Sequence, residues 1–288
     1  MDITKISYGF THGSVFHADD VFATALLQML NPDIQIGRVN KVTPEMLSEN
    51  CIVFDIGEGK YDHHQVDKEF RPMSDGYYFD KEGRLSAIPY CSFGLLWRDF
   101  GRQLCVSEKA WAKVDRTLVL PIDKADNGVA PNTLSSIIGN MNPLWNEPQT
   151  EAARYGKFYE ALTFATVVLK RAIVKANSEA KAEELVLNSK VVDGAILVLD
   201  QYLPWQDVVI EQMPDILFCV FPSARGGYNV QTVPDAPGSF NGRKLFPAEW
   251  CGHPLVDEGM TFCHTGNFLL ATETLEQAIH FAQIAVSR

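Results

Sequence analysis

The chain has 288 residues, 46% hydrophobic and 21% charged, enough for two domains with separate cores and typical of an ordinary globular protein. Its formal net charge of −11 excludes broad, non-specific binding to nucleic acid through basic surface, although an acidic cluster loaded with divalent cations presents a positive site to a polyanion. No apolar run reaches the length of a membrane span, no basic-then-apolar leader opens the chain, and six scattered cysteines without a CxxC suit a reducing cytosol.

Residues 3–10 read as a first strand, followed by the turn Thr11-His12-Gly13-Ser14 and by Phe16-His17-Ala18-Asp19-Asp20, which leads into a helix. Val21, Phe22, Ala25, Leu26, Met29 and Leu30 recur at helical spacing, and Asn31-Pro32 ends the run. Asp19 and Asp20 therefore fall at a helix N-terminus, with His12 and His17 on the loop that feeds it. Residues 34–39 read as a second strand, 43–48 as a short helix capped by Thr43, and 51–56 as a third strand. This alternation predicts a parallel α/β sheet, in which sites gather at the carboxyl ends of strands. His12, His17, Asp19 and Asp55 all fall at such ends.

The third strand opens the stretch CIVFDIGEGKYDHH, residues 51–64. Ile52, Val53 and Phe54 suit a buried strand, and Asp55 interrupts them just before Gly57 and Gly59 turn the chain. A carboxylate there is costly to bury unless it is paired or bound to a metal. Asp62, His63 and His64 follow at once.

Beyond this stretch, residues 66–84 read as a polar loop, and 86–100 as a helix with Pro89 in its first turn. Residues 107–120 read as a helix with Ser107 as N-cap, running into the acidic turn 121–128, which holds Asp123 and Asp126. A short helix is expected at 133–140, and 150–190 is helical in pattern, in two pieces broken near Asn177-Ser178. The period then changes to strands at 195–199, 216–221 and 228–233, with a loop at 234–259. The closing helix, 274–286, carries Thr274 and Gln277 at the spacing of a capping box. The expected organisation is residues 1–190 as a metal-binding domain, including a helical connector from about 150, and 191–288 as a smaller α/β domain that binds substrate.

Four of the seven histidines lie in the first 64 residues, beside Asp19, Asp55 and Asp62. Imidazoles mixed with carboxylates suit manganese, iron, zinc or cobalt better than calcium or magnesium alone. Asp55, ending a central strand, is the natural bridge between two such ions. In the second domain, Arg225-Gly226-Gly227 could hold a phosphate through the guanidinium and close backbone N–H groups, or could simply turn the chain before a strand. Cys251, His253, Cys263 and His264 lack the spacing of common zinc ligands, so buried free thiols are expected. Tyr155, Phe158, Tyr159 and Phe164 are expected in the core.

Together, His12 to Asp20, Asp55, Tyr61 to Gln65, Ile122 to Gly128, Pro222 to Tyr228 and Phe262 to Phe268 resemble the melanocyte-proliferating-gene family, once called metal-dependent protein hydrolases. That family is itself similar to the DHH phosphoesterases, and the likeness runs nearly end to end. The resemblance implies an α/β fold with a DHH-like, mostly parallel N-terminal sheet flanked by helices, and a C-terminal domain that closes over the substrate. It implies that His12, His17, Asp19, Asp55, His63 and either Asp123 or Asp126 hold two divalent transition ions, manganese first among them. His64 would be an outer or substrate-facing group, and Arg225, Gly226, Gly227 and His264 would bind substrate. The chain departs from the common HxxxDxD motif, with His17 in place of the first aspartate and one extra residue after His12. It also reads Trp250-Cys251-Gly252 where the family has tryptophan-arginine-glycine. The implied activity is a cytoplasmic 3′–5′ exonuclease on RNA or short oligonucleotides, as a single chain or a homo-oligomer. The alternatives are hydrolysis of a small nucleotide or phosphoanhydride, or a non-catalytic metal- and nucleotide-binding module. Protein hydrolysis finds no support, because no HExxH helix is present.

Overall fold

In the computed structural model, which describes residues 1–239, 241–252 and 254–288, Tyr8–His12 (β1) is the middle strand of a parallel sheet. Gln35–Val39 (β2) and Cys51–Val53 (β3) flank it. Ala18–Leu30 (α1) crosses from β1 to β2, and its Val21, Phe22, Leu26 and Leu27 are fully buried. The short helix expected after β2 is a single 3-10 turn, Pro44–Leu47, with no side-chain bond from Thr43. Because all three strands run the same way, the ends of β1 and β3 deliver His12 and Asp55 to one rim of the sheet. The α/β class follows directly from this alternation.

Residues 66–84 are not wholly irregular. Tyr77–Phe79 (β4) and Leu85–Ala87 (β5) form a small antiparallel ribbon whose turn is held by Asp80, which accepts the Glu82 and Arg84 N–H groups. The helix expected from residue 86 begins instead at Ser92 and runs to Phe100 (α2), which leaves Pro89 outside it. Proline restrains the residue before it to extended backbone, so the chain enters the helix only after that constraint has passed. Gly94 of α2 is required by close packing, because a Cβ there would lie 2.3 Å from the Asp123 carboxylate.

Glu108–Val114 (α3) starts at Ser107, whose hydroxyl accepts the Ala110 N–H. It continues through a π turn, Asp115–Val119, into Leu120–Asp126 (α4), so the stretch expected as an acidic turn is helical as far as Asp126. Thr133–Gly139 (α5) follows, then Glu151–Leu187 (α6) as one unbroken helix. No break occurs at Asn177, because its side chain is occupied elsewhere. It donates to the Leu104 carbonyl and accepts the Val106 N–H, and these tertiary bonds override a weak local preference. Of the four aromatics on α6, Phe158 is fully buried, whereas Tyr159 and Phe164 are exposed, contrary to expectation.

The chain divides into two compact units, Met1–Ala180 and Lys181–Arg288. The second is built on a six-stranded sheet from Lys190–Val192 (β6), Ile196–Val198 (β7), Phe218–Pro222 (β8), Tyr228–Thr232 (β9), Met260–Cys263 (β10) and Leu269–Thr272 (β11). Their spatial order is β10-β11-β9-β8-β7-β6, and only the β7–β8 pair is parallel. Gln206–Gln212 (α7) and Leu275–Ser287 (α8) pack on it, and the Thr274–Gln277 capping box starts α8 as expected. Cys263 is a buried free thiol and Cys251 a half-buried one, while His253 lies outside the described residues. Among the described residues, no helix is long and apolar enough to cross a membrane.

Candidate metal centre

Asp55 stands immediately beyond β3 at φ 56°, in the left-handed region that aspartate and asparagine tolerate better than most residues. Its N–H donates to the Tyr61 carbonyl at 3.0 Å, which folds the Gly57–Gly59 turn back on the strand. Asp62 closes that turn by accepting the Glu58 N–H at 2.7 Å, and it also holds His64, whose Nδ1 lies 2.7 Å from Asp62 Oδ1. The DHH triplet therefore divides its roles. Asp62 is a buried brace, His63 points inward, and His64 is largely exposed.

The two oxygens of Asp55 face two different sets of groups. Oδ2 lies 3.2 Å from His12 Nε2, which is itself 3.6 Å from Asp20 Oδ2. Oδ1 lies 3.1 Å from His63 Nε2, which is 3.5 Å from Asp19 and 3.2 Å from Asp126. His12 Nδ1 donates to the Gly13 carbonyl at 2.7 Å, which leaves Nε2 to face the carboxylates. Asp19 is fixed by the amino end of α2, where the Ser92 and Phe93 N–H groups donate to its two oxygens. Donor atoms of His12, Asp20 and Asp55, of Asp55, His63 and His64, and of Asp19, His63 and Asp126 each lie close enough together to hold one ion. Imidazole nitrogens mixed with buried carboxylates suit a divalent transition ion, and Asp20 Oδ2 is buried with no hydrogen-bond donor among the described residues. A cleft of about 510 Å³ opens onto this cluster, lined by His12, Ser14, His17, Asp55, Asp62 and His64 among others.

The other expected residues lie elsewhere. His17 stays at the exposed rim of the cleft, its ring centroid 5.8 Å from that of His12, and it belongs to none of the three donor groups. Asp123 turns away from the cluster. It pairs with Arg71 and accepts the Cys91 N–H, while Asp126, one helical turn on, faces His63. In the second unit, Arg225 tips the β8–β9 hairpin, where the Arg225 and Gly226 N–H groups both donate to Ser223. Backbone donors expected to face an anion thus close the turn. Gly227, at φ 66°, abuts the Thr272 carbonyl, whereas His264 pairs with Leu269 at the other end of β11. Three residues of strand, roughly 10 Å, separate those ends.

Sequence reasoning passed over Asp20, Arg38 and Arg71. Asp20 was visible as a second aspartate at the start of α1, but Arg38 and Arg71 carried no local signal of burial.

Electrostatics tie these groups together. Burial disfavours the charged form of His12, yet the hydrogen bond to Asp55 and the charges of Asp20 and Asp55 raise it to about 9. His63 is raised to about 9 in the same way, by Asp55, Asp19 and Asp126 against burial. Burial pushes Asp20 up to about 7 and raises Asp19 and Asp126, whereas the two imidazoles overcome burial at Asp55 and hold it well below the usual carboxylate range. The sign for stability follows. A histidine with a raised folded pKa contributes stability that is complete below its unfolded value and is lost as pH rises through the folded one. A raised carboxyl acts in the same direction at lower pH. Chelator-treated protein is therefore expected to lose stability progressively as pH rises through about 7 and then about 9. A divalent transition ion should reverse that trend, because it requires the deprotonated ligands. Thermal melts from pH 6 to 9.5, with and without manganese, read this directly. A metal-free melting temperature that rises over that range would contradict it.

Residues 9–286 match the family described as Uncharacterised protein family (UPF0160), labelled MYG1_exonuc. The mouse protein named MYG1 exonuclease is 27% identical over 96% of this chain and 84% of its own length. Its bovine counterpart, of the same name, is 28% identical over the same shares. The fission-yeast MYG1 protein C694.04c is 26% identical over 96% of both chains. No solved structure matches the chain. With the profile spanning nearly its whole length, the chain belongs to the MYG1 family.

Proposed function

We propose that this protein is a metal-dependent phosphodiester hydrolase, a 3′–5′ exonuclease acting on RNA or short oligonucleotides with two divalent transition ions, manganese first among them. The observation that carries the reading is the divided environment of Asp55, with one oxygen beside His12 and Asp20 and the other beside His63, Asp19 and Asp126. The name exonuclease, given to mammalian relatives, supports the reaction class. Two ions held there by His12, Asp19, Asp55, His63 and Asp126 would supply a bound water of lowered pKa and positive charge facing the phosphoryl group.

In this reading His12, Asp19, Asp55, His63 and Asp126 are the ligands, with Asp126 rather than Asp123, whose charge is matched by Arg71. Asp62 fixes one ring nitrogen of His64 and leaves the other to meet the substrate, where it can hand a proton to the leaving oxygen. His17, on the rim of the cleft, positions the scissile group. The cleft is of a size to take a strand end or a single nucleotide, so dinucleotides and mononucleotides belong in the same assay. Purified protein with manganese should release single nucleotides from 3′ ends of RNA in a panel of end-labelled RNA, DNA, dinucleotides and pyrophosphate. Tight metal binding without turnover of any member would favour a non-catalytic module.

The guanidinium of Arg225 makes no hydrogen bond among the described residues and is the part of its hairpin open to an anion. Arg225→Ala is expected to weaken nucleotide binding by about ten- to a hundred-fold, the cost of losing a charged hydrogen-bond partner, while metal content stays unchanged. On a chain of net charge −11, few phosphate contacts are available, so the salt dependence should be shallow. Unchanged affinity across a salt series would make the Gly226-Gly227 turn a turn and nothing more.

A further inference from the structure

Asp20 is wholly buried at the third position of α1, and its two oxygens have different surroundings. Oδ1 accepts the His17 N–H at 2.8 Å and so caps the helix. Among the described residues, Oδ2 has no hydrogen-bond donor. A buried carboxylate oxygen without a partner costs several kcal/mol, so a fold keeps one only where something else satisfies it. Capping explains half of this side chain and leaves the other half unexplained.

The surroundings of Oδ2 say what is missing. His12 Nε2 lies 3.6 Å away, and Asp55 Oδ2 lies 3.2 Å beyond that, with ligand atoms of all three residues within 4.8 Å of one another. Ligands held about 2.0–2.2 Å from one transition ion stand roughly 3–3.6 Å apart, so the 3.6 Å between His12 Nε2 and Asp20 Oδ2, too long for a direct hydrogen bond, suits a shared cation. The bond from His12 Nδ1 to the Gly13 carbonyl leaves Nε2 as the atom facing that point. The competing partner for Oδ2 is Arg38, whose side chain is 3% exposed. Its guanidinium stops 3.7 Å short, donates to the Ser14 carbonyl instead and lies over the Phe158 ring. Arg38 softens the charge of Asp20 without satisfying it.

We propose that Asp20 is a ligand in its own right, completing a His12–Asp20–Asp55 subsite for one of the two ions. The inference rests on the metal reading above and adds Asp20 to the implied ligands, among which His17 belongs to none of the three donor groups. Asp20→Asn is the informative variant, because asparagine keeps the volume and the oxygen that caps His17 but removes the anionic ligand. Calorimetric titration of chelator-treated full-length protein with manganese should show two sites in the wild type. In Asp20→Asn one site should be at least about ten-fold weaker and the other retained, with hydrolysis playing no part in the readout. Arg38→Met should leave both sites in place or tighten one, since it removes a cation that competes for Oδ2.

If Asp20→Asn binds two ions with wild-type affinities, Asp20 is only a cap and the inference falls while the metal reading stands. If the wild type itself binds no ion, both fall. Should Asp20→Asn fail to fold, wild-type crystals soaked in manganese and measured for anomalous scattering decide the matter. An ion within about 2.3 Å of Asp20 Oδ2 is the expected result, and ions coordinated without Asp20 would overturn it.

Discussion

Asp55→Asn is expected to abolish hydrolysis while the fold survives. The position is unusual in needing φ 56°, and asparagine adopts that conformation as readily as aspartate, so the backbone is not the casualty. The side-chain volume is also kept, as is the N–H bond to Tyr61. What is lost is the charge between two imidazoles, each within 3.2 Å of a different Asp55 oxygen. A neutral amide cannot serve two cations at once. The fall in kcat/KM should therefore exceed the roughly 10- to 100-fold typical of a group that only orients a ligand. Circular dichroism should be unchanged, and manganese stoichiometry should drop together with activity. The variant also removes the main group that raises His12 and His63 to about 9, so the alkaline loss of stability in metal-free protein should flatten. Near wild-type turnover in Asp55→Asn would remove Asp55 from the centre of the mechanism.

The part of the site that the sequence reveals is the part set by strand ends. Apolar runs and helical spacing in the first 64 residues place His12, His17, Asp19 and Asp55 at one rim of a parallel sheet; in the structure His12, Asp19 and Asp55 meet there with His63, while His17 stays exposed. What escapes the sequence is decided by side-chain direction and by partners distant in the chain. Asp123 and Asp126 are equivalent as text. Arg71, 52 residues away, takes the first, and the helical turn between them aims the second at His63. The acidic turn is itself a helix because a π turn carries α3 into α4, and such bulges leave no periodic signature. The strands β4, β5, β6 and β10 are three or four residues long, too short for alternation to register against the loops around them. The glycine turn at Arg225 has the composition of an anion cradle and the hydrogen bonds of a hairpin, and only the second fact depends on where Ser223 points.

Arg71→Met should produce the largest loss of stability of any single change considered. The Arg71 side chain is 1% exposed, lies over the Tyr90 ring and is shared among three carboxylates: Asp123, Asp115 at 2.7 Å and Asp75 at 3.3 Å. Asp123 is fully buried, and burial already pushes its pKa up to about 6 with Arg71 opposing the shift. Methionine replaces the aliphatic bulk but strands that carboxylate, and removing one partner of a buried pair costs about 3–5 kcal/mol. Protonation limits the penalty. Without Arg71 the carboxyl moves higher still and takes up its proton at a higher pH, so the deficit measured by urea unfolding should shrink as pH falls from 8 to 5. Adding Asp123→Leu to Arg71→Met removes the stranded charge and should recover part of the loss. Recovery stays incomplete, because the Cys91 N–H at the head of α2 also loses its acceptor. Since α2 holds Asp19 through its next two N–H groups, the double variant should also weaken metal binding. A deficit below about 1 kcal/mol, or one independent of pH, would mean that water reaches Asp123 and that the network carries less of the fold than its burial implies.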